Sequence, residues 1–222
     1  MSKIRRKGIP VLSIVSIFEN YLVVLPVYLL LGWLLCRLYR KRGIAYETGF
    51  IIGWQVLAVY VCAVFYFTGT GGLDDIQRFG LSQLSSGSVN LLPLHDGGGA
   101  MGMALNALLF VPLGMLLPLL WKDCRRWYRT AGAGFLLSLL IELSQLFNFR
   151  ATDIDDLLMN TLGTLAGYGV WQLLARRIPQ FEANAAGKTA CAAVGSLCTM
   201  FAIQFILAGP LVSHIALSLY GY

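Results

Sequence analysis

Apolar runs of about twenty residues, the length that crosses a bilayer as a helix, recur along this 222-residue chain. They cover residues 21–36, 48–67, 103–121, 131–147, 157–175 and 189–212. Residues 9–18 precede the first of them and are expected along the membrane interface. Charged residues make up 13% of the chain and hydrophobic ones 57%, against roughly 25% charged in a soluble domain. The expected fold is all-α, a polytopic transmembrane bundle of about six spans with a long outer loop between the second and third. By this reading residues 1–68 form an N-terminal two-span region and 69–102 an extracytoplasmic loop. Residues 103–178 form a three-span core, and 179–222 the last span and a tail.

Net charge is +6. The bases are arranged as a membrane topology signal and not as a nucleic-acid footprint. Arg37, Arg40, Lys41, Arg42, Lys122, Arg125, Arg126, Arg129, Arg176, Arg177 and Lys188 fall in alternate loops; the opposite loops hold Arg78 and Arg150. The positive-inside bias puts loops 37–47, 122–130 and 176–188 in the cytoplasm and both chain ends outside. Lys3, Arg5, Arg6 and Lys7 oppose that bias at the N-terminus. The five cysteines form no CxxC and read as reduced, space-filling thiols.

In so uncharged a chain, residues 134–170 stand out. Gly134, Ser138, Glu142 and Gln145 are spaced by four, four and three, which puts them on one helical face. Asp153, Asp156, Asn160, Gly163 and Gly167 share a face of the next span, with Asp155 about 100° away from Asp156. Thr152 and Asp155 have the spacing of a capping box opening that span. Gly163 and Gly167 form a GxxxG, a point of close helix approach. Asn106, one turn into the third span, adds a polar group at similar depth, with Arg150 and Asp153 at the mouth.

The bland reading of these groups is helix capping and interhelical hydrogen bonding. The functional reading is a polar pocket opening to the outer leaflet. Its ligand-binding candidates are Asn106, Ser138, Glu142, Gln145, Arg150, Asp153, Asp156 and Asn160. Buried Glu142 needs a partner such as Arg150 or a raised pKa, which makes it the candidate acid or base if chemistry occurs. Asp153, Asp155 and Asp156 are candidates for a divalent cation; no other cofactor is expected. His95 reads as a loop residue, and no P-loop, HExxH or GxSxG is present. In the 69–101 loop, LDDIQRFGLSQL has the pattern of a short amphipathic helix lying on the membrane.

Residues 88–175 resemble the VanZ-like family of membrane proteins. The resemblance rests on Asn90 and Pro93, on Asn106, Phe110, Pro112 and Gly114, and on Ser138, Glu142 and Gln145. It continues through Asp153, Asp155, Asp156, Asn160 and Gly163. It implies a bacterial cytoplasmic-membrane protein of the cell envelope, linked with low-level resistance to teicoplanin. The expected partner is a membrane lipid headgroup or a lipid-linked wall precursor, with no nucleic acid. An intramembrane enzyme acting on a polyprenyl-linked lipid or phospholipid is the alternative. A transporter is disfavoured because no inverted repeat is visible.

Overall fold

A computed structural model describes residues 9–43, 48–80, 89–90, 99–148, 152–178, 190–208 and 210–211. The described chain is almost wholly helical. Helix α1 is Ile9–Lys41, α2 Thr48–Thr68 and α3 Leu73–Phe79. They are followed by α4 Ala100–Leu120, α5 Trp127–Gln145, α6 Ile154–Ala175 and α7 Ala190–Ile203. A 3-10 turn, Lys122–Arg125, joins α4 to α5, and a π-helical turn, Gln204–Ala208, continues α7. Two extended pairs, β1 Val89–Asn90 and β2 Thr152–Asp153, lie parallel, with Val89 opposite Thr152 and Asn90 opposite Asp153.

Two helical segments, one starting at Thr48 and one at Ala100–Leu120, are long and apolar enough to cross a membrane. Helix α1 departs from the sequence expectation. It is one uninterrupted helix of 33 residues, about 50 Å long. It extends beyond the 21–36 run at both ends, taking in residues 9–20 and running on through Arg37, Arg40 and Lys41. Bases stop a membrane crossing because charge is costly in lipid. They do not stop a helix, whose C-terminal dipole they favour. Helix α3 ends at Gly80, whose φ of 66° suits glycine. The parallel pairing of β1 with β2 carries no pattern that periodicity would reveal in two residues.

Hydrogen bonds sort the helix ends into two groups. At one end Trp121 Nε1 donates to the Tyr39 hydroxyl (3.3 Å) and the Tyr168 hydroxyl donates to the Arg125 carbonyl (2.6 Å). This gathers the C-terminal ends of α1, α4 and α6 with the 3-10 turn. Phe50 of α2 completes that end, stacking on Tyr39 and meeting Trp121 edge-on. At the other end the segment after α2 is bonded to the end of α5: Gln145 Nε2 donates to the Thr68 carbonyl (2.7 Å) and Asn148 Nδ2 to the Gly69 carbonyl (3.0 Å). The described bases at the C-terminal ends of α1, α4 and α6 therefore share one end, and the segments just after α2 and α5 share the other.

The closest helix pair is α4 with α6. A Cβ at Gly163 would strike the Ala107 carbonyl, one at Gly167 the Val111 carbonyl, and one at Gly114 the Thr164 carbonyl. The GxxxG of α6 thus meets a third glycine on α4, and the backbones touch. Gly134 of α5 lies against the Thr164 side chain. The apolar core is built from the Phe50, Trp54, Leu57 and Val61 face of α2, from Phe110, Leu113 and Leu117 of α4, and from Leu137 and Ile141 of α5. The inner faces of α5 and α6 are unusually polar, with Ser138, Glu142, Gln145, Asp155, Asn160 and Thr164 buried. Leu143, Leu158, Leu162 and Leu173 of the same helices point outward.

Cys124 sits buried in the 3-10 turn, where burial pushes its thiol up to about 12, with Asp123 adding to the effect. Its thiolate is negligible near neutrality, so a maleimide at pH 7.5 should leave Cys124 unlabelled in folded protein and label it after denaturation. Replacing Gly163 or Gly167 by alanine should lower the unfolding temperature by an amount equivalent to about 1–3 kcal/mol of overpacking. Gly169→Ala should not lower it, because an added Cβ there meets nothing within 4 Å.

Candidate functional site

The connection from α5 to α6 begins the site. Because Thr152–Asp153 is extended and paired with β1, helix α6 starts at Ile154 and Asp153 is its N-cap. Asp153 Oδ1 accepts the Asp155 N–H at 2.9 Å. The spacing of Thr152 and Asp155 predicts a capping box one residue earlier; the strand pairing moves the cap to Asp153. The Asp153 N–H is donated to Glu142 Oε2 at 3.0 Å. Glu142 thus accepts a backbone donor from the start of α6, a hydrogen bond that braces α5 against α6. Arg150, its expected partner, lies outside the described residues, as does His95.

The polar groups that the sequence places in one layer separate into two compartments. In the first, Asn106 Nδ2 donates to Asp156 Oδ1 in a short hydrogen bond between α4 and α6. This pair lies at the polar end of a cavity of about 900 Å³. Asp153 and Asp155 line the same end. Asp155, expected to point off the functional face, is the more buried of the two helical aspartates, with 7% of its surface exposed. Tyr60 and Phe67 of α2 and Leu105, Leu108, Leu109 and Pro112 of α4 form the apolar walls. Phe67, Leu105 and Leu108 are exposed on the flank of the bundle, so the cavity is a groove open sideways.

The second compartment is buried between helices. Asn160 Nδ2 donates to Ser138 Oγ at 2.9 Å, and Thr164 Oγ1 to the Asn160 carbonyl at 2.9 Å. Gln145 holds the Thr68 carbonyl. The Asn160 Oδ1 and Gln145 Oε1 atoms have no donor among the described residues. Ser138, Glu142, Gln145 and Asn160 therefore support the groove from behind, while Asn106, Asp153, Asp155 and Asp156 face it. Among the described residues no group of three or more His, Cys, Asp or Glu side chains is gathered as a metal site.

Three contributors escape sequence reasoning. The Tyr60 hydroxyl donates to the Leu109 carbonyl at 2.6 Å and fastens one groove wall to the other. Ser144 Oγ accepts the Gly71 N–H at 3.0 Å, and Asn148 holds Gly69. A Cβ at Gly71 would strike the Ser144 carbonyl, so the corner after α2 requires glycine there. The signal for this corner was the Gly-Thr-Gly-Gly run at 69–72; nothing in the sequence said which helix it would touch.

The site is thus a lateral apolar groove in a helical bundle, closed at one end by an amide–carboxylate pair and two further aspartates. The sequence profile of the VanZ/LLP1 family matches residues 56–175, over half of the chain. The protein belongs to that family. A relative, Protein VanZ of Enterococcus faecium, is 33% identical over 94 residues, covering 42% of this chain and 58% of that protein. The chain thus matches less than two thirds of that relative's length. No solved structure matches.

If Glu142 acts by accepting the Asp153 N–H, Glu142→Leu should cost about 1–3 kcal/mol of stability. Glu142→Gln, which keeps an acceptor, should cost less than half as much. Exchange of the Asp153 amide proton, slow in wild type and fast in Glu142→Leu, checks that this bond carries the effect.

Proposed function

We propose that this protein is a multi-pass protein of the bacterial cytoplasmic membrane, crossing six times, with loops 37–47, 122–130 and 176–188 in the cytoplasm. Polar side chains on the inner faces of α5 and α6, and leucines on their outer faces, support the membrane reading. In lipid, polar groups turn inward to find partners. The base-rich loops at one end of the bundle support the orientation. The groove then opens to the outer leaflet and takes the headgroup of a membrane lipid or of a lipid-linked wall precursor.

The single observation that carries this reading is the groove's amphiphilic shape. Its apolar wall of Leu105, Leu108, Leu109 and Pro112 lies open on the flank, where a lipid tail would run. Its end carries Asn106, Asp153, Asp155 and Asp156. Carboxylates accept hydrogen bonds and favour a headgroup rich in hydroxyls or ammonium groups. Family membership supports the further step, that occupation of this site reduces the action of teicoplanin at the cell envelope.

The test is lipid retention by purified protein, read by native mass spectrometry, alongside teicoplanin susceptibility of cells expressing each variant. Leu108→Trp, which blocks the groove, and Asp156→Asn, which replaces a carboxyl at its end, should each lower the number of retained lipids by one and lower resistance. Leu173→Trp, on an exposed site of α6 away from the groove, should change neither. Wild-type retention and resistance in stably folded Leu108→Trp and Asp156→Asn would overturn the assignment.

A further inference from the structure

A second groove lies at the opposite, base-rich end, between α1, α2 and α7, with a volume of about 300 Å³. One wall is Leu31, Leu35 and Leu38 of α1, at steps of four and three. The facing wall is Ala192, Gly195, Ser196 and Thr199 of α7, all small. A Cβ added at Gly195 meets nothing within 4 Å, so the groove is open at that point. Its floor is fixed by Trp54, whose Nε1 donates to Ser196 Oγ at 3.4 Å. The Arg42 side chain stands at one end, one turn beyond Leu38.

Arg42 closes a run that also holds Arg37, Arg40 and Lys41, with no acidic residue between positions 37 and 42. The guanidinium of Arg37 is held over the Trp33 ring, 4.3 Å from its centroid. Leu31 and Arg42 are separated by about 16 Å along the helix axis. That is roughly half of the ~30 Å hydrocarbon thickness, the depth of one leaflet. A groove one leaflet deep from Leu31 to Arg42, with a leucine wall, a facing wall of small residues and a guanidinium at the headgroup level, fits one acyl chain and its phosphate. Basic pockets between membrane helices on the cytoplasmic side bind anionic headgroups in this way.

We infer that the α1–α7 groove is a binding site for one anionic phospholipid of the inner leaflet, its phosphate on Arg42 and an acyl chain along Leu31, Leu35 and Leu38. The site rests on the membrane orientation proposed above and is separate from the outer groove.

The experiment uses the full chain, delipidated in detergent and titrated with phosphatidylglycerol or phosphatidylcholine, with bound lipid counted by native mass spectrometry. Besides any lipid in the outer groove, wild type should hold one phosphatidylglycerol in preference to phosphatidylcholine. Arg42→Gln should reduce that preference about fivefold, the share of one base near a headgroup, and Arg42→Lys should keep most of it. Gly195→Leu should fill the groove and remove the bound lipid while leaving the unfolding temperature in lipid-free detergent unchanged. Leu108→Trp, in the outer groove, should leave this lipid in place whether or not the outer site binds as proposed. Undiminished preference in Arg42→Gln, or an equal loss in Arg126→Gln, would overturn the inference, the latter by showing diffuse surface charge. Loss in Leu108→Trp with retention in Arg42→Gln would overturn it by moving the lipid to the outer groove.

Discussion

Backbone contact between α4 and α6 sets the geometry of everything near the outer groove. Gly163 and Gly167 lie against the carbonyls of Ala107 and Val111, and Gly114 lies against that of Thr164. Helices this close exclude side chains from the seam and gain dispersion contacts along it, the force that remains for helix association when water is absent. The approach has a direct chemical result. Asn106, next to Ala107 on α4, and Asp156, about two turns before Gly163 on α6, fall within hydrogen-bond reach. The amide–carboxylate pair at the end of the groove is thus a product of the glycine seam.

A second set of contacts gives the groove its other wall. Helix α2 must reach α4 at its outer half, and the corner after it is held to the end of α5. Gln145 and Asn148 capture the carbonyls of Thr68 and Gly69, and Ser144 captures the Gly71 N–H. Each bond satisfies a backbone group at a chain reversal, where helical partners have run out. Tyr60 then ties α2 directly to the Leu109 carbonyl. Polar residues that a sequence reader would gather into one ligand site are spent here on building the frame. Glu142 is the clearest case: its carboxylate braces the first turn of α6 instead of facing the groove.

The two grooves lie at opposite ends of the bundle and differ in charge. One ends in carboxylates and an amide, the other in a guanidinium. The acidic first turn of α6 and the basic last turn of α1 each complement their helix dipoles.

Much of the architecture was legible in the chain. Helical periodicity put Gly134, Ser138, Glu142 and Gln145 on one face, and all four are buried. The GxxxG at 163 and 167 announced a close approach, and the apolar runs located the long helices. These features are local or periodic, so spacing alone encodes them. The identity of partners was not encoded this way. That α4 is the helix on the glycine seam, and that Glu142 meets a backbone N–H, depends on which faces meet. So does the division of the aspartates and Asn106 from Ser138, Gln145 and Asn160. Periodicity sets where a side chain points on its own helix; only packing decides what it points at.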